Sequence, residues 1–218
     1  MAKGEVSKTQ RVLNVWAIIL ILWSIYRATF KTDLPVWVDE FIAKPLLFLF
    51  PIYWFVTKSE KKNFLAGVGL NRKNIKNNIL FGLGVGLLFV LLALTVRLMK
   101  TGNFPSISLS LTSLVWILSS CAAAFSEQIV STGFVFNRLQ HESKYLVKPI
   151  IYSALLFFFL HVPVLFGVDK IASSTLIQMI ALNTTVSVMT SLIFVMRKDT
   201  LAPIIIQTLY LLSLPILL

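Results

Sequence analysis

Hydrophobic residues occur in long runs that short polar segments separate. Seven runs approach the length of a membrane-spanning helix, about 20 consecutive apolar residues: 13–30, 41–57, 79–98, 111–139, 149–168, 175–196 and 201–218. The pattern predicts an all-α fold, a polytopic integral membrane bundle of about seven helices. We expect one membrane domain, 1–218, in which three N-terminal helices (1–110) precede a four-helix core (111–218).

Composition and charge narrow the functional class. The chain is 57% hydrophobic and 13% charged, which excludes a disordered chain and argues against a soluble domain. Its net charge of +11 is in the range of nucleic-acid-binding proteins. The basic residues, however, cluster at the ends of apolar runs. This placement is typical of residues that set the orientation of membrane helices and contact anionic lipid. We therefore expect membrane lipid as a partner and no nucleic acid.

The distribution of basic residues also predicts orientation. With a cytoplasmic N-terminus, 14 of the 20 Lys and Arg residues lie on the inner side, and the loop 58–78 is the richest in them. This asymmetry predicts that the N-terminus is cytoplasmic and the C-terminus is outside. We expect the membrane to be a bacterial plasma membrane.

Glu127, in the fourth apolar run, is the first candidate for chemistry. A charged side chain at membrane depth costs on the order of 2.5–3.5 kcal/mol on insertion scales, and such residues are usually functional and paired. The best partner is His161, in the fifth run. At 1.5 Å per residue, Glu127 lies about 16 Å and His161 about 18 Å from the inner ends of their helices. Gln207 and Asn183 place further polar groups on the seventh and sixth helices.

These groups suit the attack of water on an amide carbonyl. A carboxylate can take a proton from water, an imidazole can orient that water, and amide side chains can donate hydrogen bonds to an oxyanion. A second interpretation is that Glu127 and His161 form a buried structural pair that fixes helix packing. Asn183 can equally serve as a hydrogen bond between helices. Gln128 is rotated by about 100° from Glu127, which favours contact with a neighbouring helix.

Two segments resemble the CAAX protease and bacteriocin-processing family, also called Abi, of intramembrane proteases. Its first motif has two glutamates, three residues, then arginine and glycine. Glu127 and Gly133 match it, whereas Gln128 and Thr132 replace the second glutamate and the arginine.

The second family motif is a phenylalanine with a histidine four positions later, and Phe157 and His161 match it. The third is a histidine with an asparagine four positions later, and here these positions hold Gln207 and Leu211. The resemblance covers about residues 110–215.

The resemblance implies a CAAX protease-like core, 111–218, and glutamate-dependent hydrolysis of a peptide bond in a membrane-associated protein or peptide near the cytoplasmic side. Glu127 would be the base, His161 its partner and Gln207 the remaining oxyanion donor. The substrate cavity would include Gln128, Phe157 and Asn183. Because the third motif is replaced, the alternative is a non-catalytic homologue that acts as a membrane partner, a scaffold or a bacteriocin-immunity protein.

The same replacements leave few side chains that could bind a metal ion. Zinc, if present, would have Glu127 and His161 as ligands, fewer than the usual three protein ligands. We therefore expect no cofactor.

Overall fold

The computed structural model describes residues 7–30, 34–71, 73–104, 110–167 and 173–217, and the regular structure within these ranges is helical. Six of the helices formed by these residues are long and apolar enough to cross a membrane: Lys8–Thr29, Val36–Ser59, Ile75–Thr101, Leu111–Glu142, Val147–Val164 and Ile180–Arg197. The helices are α1 (Lys8–Thr29), α2 (Val36–Ser59), the short α3 (Phe64–Gly67), α4 (Ile75–Thr101), α5 (Leu111–Glu142), α6 (Val147–His161), α7 (Ser173–Arg197) and α8 (Leu201–Leu217).

The predicted all-α membrane bundle is confirmed, and the chain is an integral membrane protein. The predicted seventh span is shorter than expected. Helix α8 has 17 residues, about 25 Å, while the hydrocarbon core of a bilayer is about 30 Å thick. Lys3, Arg72 and Lys170, which the orientation prediction counted, lie outside the described residues.

Two of the long helices widen locally to π-type turns. In α2 these turns occupy Asp39–Ala43, Pro45–Leu49 and Phe55–Ser59. In α5 they occupy Ile129–Phe136, directly after Glu127 and Gln128. Because π turns are rare and often lie at functional sites, these two helices are candidates for carrying the functional site.

Helices α1, α2 and α5 share the main core. Trp23 of α1 packs edge-to-face on Phe48 of α2, with ring centroids 5.3 Å apart, and Ile129 of α5 is fully buried in the same cluster. Lipid is as apolar as these side chains, so close packing and polar contacts, rather than exclusion from water, must hold the helices together. One such contact joins α2 to α5, where Arg138 donates to both oxygens of Glu60 at 2.8 and 2.7 Å.

Helix α4 packs closely on α8 through two of the glycines in its middle. A Cβ added at Gly82 would lie 3.0 Å from Ile205, and one added at Gly86 would lie 2.5 Å from Leu209. Small residues let membrane helices approach in this way.

The loop after α3 is fastened to the connection between α7 and α8. Thr200 donates its backbone N–H to the carbonyl of Gly69 at 2.9 Å and its hydroxyl to the carbonyl of Val68 at 2.7 Å. Asp199 accepts from the N–H of Asn71 at 3.2 Å. Burial raises the pKa of Asp199, although the backbone N–H groups of Leu201 and Asn71, which donate to its carboxylate, oppose the shift. This junction packs against Gly133 in the π-type stretch of α5.

Gly133→Ala tests that packing. The new Cβ would lie 2.6 Å from the carbonyl oxygen of Val68, so backbone must shift, and overpacking of this kind costs ~1–3 kcal/mol. We expect a lower unfolding temperature in detergent. The matched control is Gly84→Ala, because no heavy atom lies within 4 Å of its Cβ position. Equal unfolding temperatures for the two variants would contradict the packing described here.

Candidate active site

The structure gathers polar side chains from four helices around Glu127 of α5. Its exposed fraction is 7%, and Lys44 of α2, Gln207 of α8 and Gln128 beside it are also buried. His161 is placed at the C-terminal end of α6 and is partly buried. These residues lie on apolar helices and are buried or partly buried, so the cluster is enclosed within the bundle.

The two oxygens of Glu127 have different partners. Oε1 accepts a hydrogen bond from Nζ of Lys44 at 2.7 Å, which is also an ion pair. Oε2 accepts from Nε2 of Gln207 and lies 3.9 Å from Nε2 of His161. The second separation is too long for a direct hydrogen bond. Oε2 is therefore the oxygen that remains available for chemistry on the side of His161.

His161 is oriented by its own helix. Its Nδ1 lies 2.9 Å from the carbonyl oxygen of Phe157, one turn earlier, and its ring contacts the Phe157 ring with centroids 4.5 Å apart. A carbonyl oxygen only accepts, so we infer that Nδ1 carries the proton. In the neutral imidazole, Nε2 is then an acceptor that faces Glu127.

A small cavity of about 50 Å³ lies between these groups. A water molecule occupies about 30 Å³ in the liquid, so the cavity has room for one water and not for a peptide. A water there would meet two acceptors, Oε2 of Glu127 and Nε2 of His161. The lining residues are Trp23, Lys44, Phe48, Glu127, Phe157, Leu160, His161 and Val164.

Neutral amides form a second layer around the acid. Gln128 donates to the hydroxyl of Thr190 at 3.2 Å and to Oε1 of Gln207, and it accepts from Thr132 at 2.6 Å. Gln128 thus contacts α7 and α8, as its rotation away from Glu127 predicted. It is also one hydrogen bond removed from Glu127, because Gln207 bonds to both residues.

Asn183 does not join this cluster. It is seven residues from Thr190, about 10 Å along α7, and it does not line the cavity between Glu127 and His161. Its Oδ1 is buried and has no hydrogen-bond partner among the described residues. Leu211, at the position of the family asparagine, packs with Val186 and Tyr210 in an apolar cluster.

Two charged residues of the site were missed in the sequence. Lys44 is buried, and its Nζ lies 2.7 Å from Oε1 of Glu40 as well as 2.7 Å from Glu127. The available signal was a lysine inside the apolar run 41–57, four residues after an acid. That spacing places the two charges on one helix face, and an ionisable residue within a span is a site candidate for the same reason as Glu127.

A much larger cavity lies elsewhere among the described residues, at the end of the bundle that carries the basic loop. It has a volume of about 610 Å³, and Arg138, Asn71 and Lys198 contribute to its polar lining. Neither Glu127 nor His161 lines it. Pocket size therefore does not identify the site in this protein, whereas the buried charges do.

The donor set does not suit a resident metal ion. No group of three or more His, Cys, Asp or Glu side chains within the described ranges is placed to hold one. In addition, the ammonium of Lys44 is bonded to Oε1 of Glu127, where a cation would bind. The residues around Glu127 therefore do not fit zinc.

Comparison with known proteins agrees with the motifs. Residues 108–212 match the family model for type II CAAX prenyl endopeptidase Rce1-like proteins. No curated protein and no solved structure matches the chain. The matched segment contains Glu127, His161 and Gln207, whereas Lys44 lies outside it. Through this segment, just under half of its length, the chain is similar to the type II CAAX prenyl endopeptidase Rce1-like family.

Proposed function

We propose that the protein is an intramembrane endopeptidase in which Glu127 activates water to hydrolyse a peptide bond in a membrane-associated protein or peptide. One observation carries the proposal: Oε2 of Glu127 and Nε2 of His161 face each other at 3.9 Å beside a cavity of water size. Both atoms are hydrogen-bond acceptors, so a water between them donates one O–H to each. Its lone pairs then face away from the two residues.

The chemistry follows from that arrangement. As the water oxygen attacks the carbonyl carbon, its proton passes to Oε2 of Glu127, and a tetrahedral intermediate forms. Collapse of the intermediate breaks the C–N bond, and the proton goes from Glu127 to the leaving amine. His161 orients the water by accepting a hydrogen bond from its second O–H group at Nε2.

The site offers few hydrogen-bond donors that could stabilise the oxyanion. Gln207 stands where the family has a histidine, but its amide already donates to Glu127 and accepts from Gln128. Leu211 offers no donor. Loss of one oxyanion donor typically lowers the rate by ~10²–10³. We therefore propose a slow hydrolase.

The orientation predicted from the sequence belongs to the same proposal. The basic loop, the inner end of α5 and the connection between α7 and α8 meet at one end of the bundle, where Asn71 bonds to Asp199 and Arg138 to Glu60. We infer that this end faces the cytoplasm, with the N-terminus inside and the C-terminus outside. Substrate would then be cleaved nearer the cytoplasmic side.

A second function is favoured by a different observation. Lys44 occupies one oxygen of Glu127, and the cavity beside the acid does not hold a peptide. These features suit a non-catalytic family member in which the charges fix helix packing. Such a protein would bind a membrane polypeptide as a scaffold, partner or immunity protein.

Glu127→Gln separates the two functions. The change keeps the shape of the side chain but removes the base, so we expect cleavage to fall by ~10²-fold or more. The measurement uses purified protein in liposomes with a library of fluorogenic membrane peptides. Glu60→Gln is the control, because Glu60 is paired with Arg138 and does not line the small cavity.

Persistence of cleavage in Glu127→Gln would remove Glu127 as the base. If the unaltered protein cleaves no peptide but Glu127→Gln still captures the same membrane polypeptide in crosslinking, the non-catalytic function is the correct one.

His161→Asn tests the partner of the base. Asparagine lacks the ring nitrogen that faces Oε2 of Glu127, so we expect kcat to fall at least tenfold while KM changes little. His141→Asn is the matched control because His141 is exposed on the last turn of α5. Similar kcat values for the two variants would contradict a role for His161 in orienting water.

A further inference from the structure

We propose that Lys44 is a positioning residue that keeps Glu127 in its carboxylate form and directs Oε2 toward the water-sized cavity. The inference deepens the proposed function and rests on Glu127 as the base. It concerns the half of the chain that the family model does not match, so it adds a residue that the family motifs do not contain.

The first step is the contact geometry. The side chain of Lys44 is 10% exposed, and its Nζ lies 2.7 Å from Oε1 of Glu127 and 2.7 Å from Oε1 of Glu40. A buried ammonium is stable only when it is paired and hydrogen-bonded. Here both of its acidic partners bind it through one oxygen. The ammonium therefore holds Oε1 of Glu127, and this contact leaves Oε2 facing His161.

The second step is the balance of charge. The ionisable groups near Glu127 are Lys44 and Glu40 from α2, His161 from α6 and Tyr210 from α8. With neutral imidazole and phenol, two carboxylates share one ammonium. Without that ammonium, two negative charges would face each other in a medium of low dielectric constant. Like charges so placed cannot both stay ionised, so a proton must be taken up.

The third step links charge to chemistry. When Glu127 carries that proton or shares it with Glu40, it cannot accept a proton from water, so loss of the ammonium impairs the base without removing the residue. Glu40 has the opposite effect, because it adds negative charge near Glu127. Its own Oε2 is buried and has no hydrogen-bond partner among the described residues. Removal of Glu40 should therefore relieve part of the defect that removal of Lys44 causes.

Lys44→Met is the primary test, made in the full-length protein in liposomes. At neutral pH we expect cleavage to fall on the order of tenfold or more, with partial recovery at higher pH as Glu127 loses its proton. Infrared spectroscopy should show a protonated carboxylic acid at neutral pH, and this signal should disappear in Lys44→Met/Glu127→Gln. Lys44→Arg keeps the charge and should keep Glu127 ionised.

The double variant Lys44→Met/Glu40→Gln provides the decisive comparison. It removes one positive and one negative charge, so the net charge of the cluster matches that of the unaltered protein. We expect it to fold and to recover cleavage relative to Lys44→Met. A purely packing role for Lys44 allows Glu40→Gln to restore stability by removing an unpaired buried charge, but it predicts no change in the pH profile of cleavage or in the protonated-carboxyl signal, so the comparison is made on those two readouts.

The outcomes are distinguishable. The proposal is overturned if Lys44→Met loses activity equally at every pH, if it shows no protonated carboxyl assignable to Glu127, or if Glu40→Gln gives no rescue. Should the unaltered protein cleave no peptide, the proposed function fails. The infrared signal in Lys44→Met then still decides whether Lys44 holds Glu127 ionised. If Lys44→Met does not fold, the double variant carries the infrared and activity measurements.

Discussion

A negative charge buried among apolar helices needs compensation, and the arrangement around Glu127 follows from that need. The ammonium of Lys44 binds one of its oxygens, the amide of Gln207 binds the other, and His161 approaches the second oxygen without a direct hydrogen bond. Since lipid offers neither counter-ion nor hydrogen bond, each of these partners must come from the protein. Helices α2, α5, α6 and α8 are thus held around one acid.

The departures from the family motifs form a connected system. Gln128, Thr132 and Gln207 replace a glutamate, an arginine and a histidine, and all three hydrogen-bond with one another through Gln128. In this chain the three positions therefore hold neutral amides and a hydroxyl where the motifs have charged or titratable side chains. The cation bonded to Glu127 is Lys44 of α2.

Helix positions and the depth of the acid and the imidazole could be predicted from the sequence, because the apolar runs are long and the rise per residue is fixed. The predicted depths of Glu127 and His161 differ by about 2 Å, and in the structure the two side chains are neighbours. Side-chain pairing between distant helices could not be predicted this way. Lys44 approaches Glu127 only through the packing of α2 on α5, and Asn183 lies about 10 Å along α7 from Thr190, outside the cluster around the acid.

The pairing of Glu40 with Lys44 on one face of α2 has a consequence for biogenesis. Helices near the N-terminus enter the membrane first during synthesis. Within nascent α2 the acid and the amine are four residues apart and neutralise each other, so this helix can be inserted without a lone charge. When α5 follows, Glu127 enters a bilayer that already contains its counter-ion. Because α2 precedes α5 in the chain, Lys44 is already in the bilayer when Glu127 enters it.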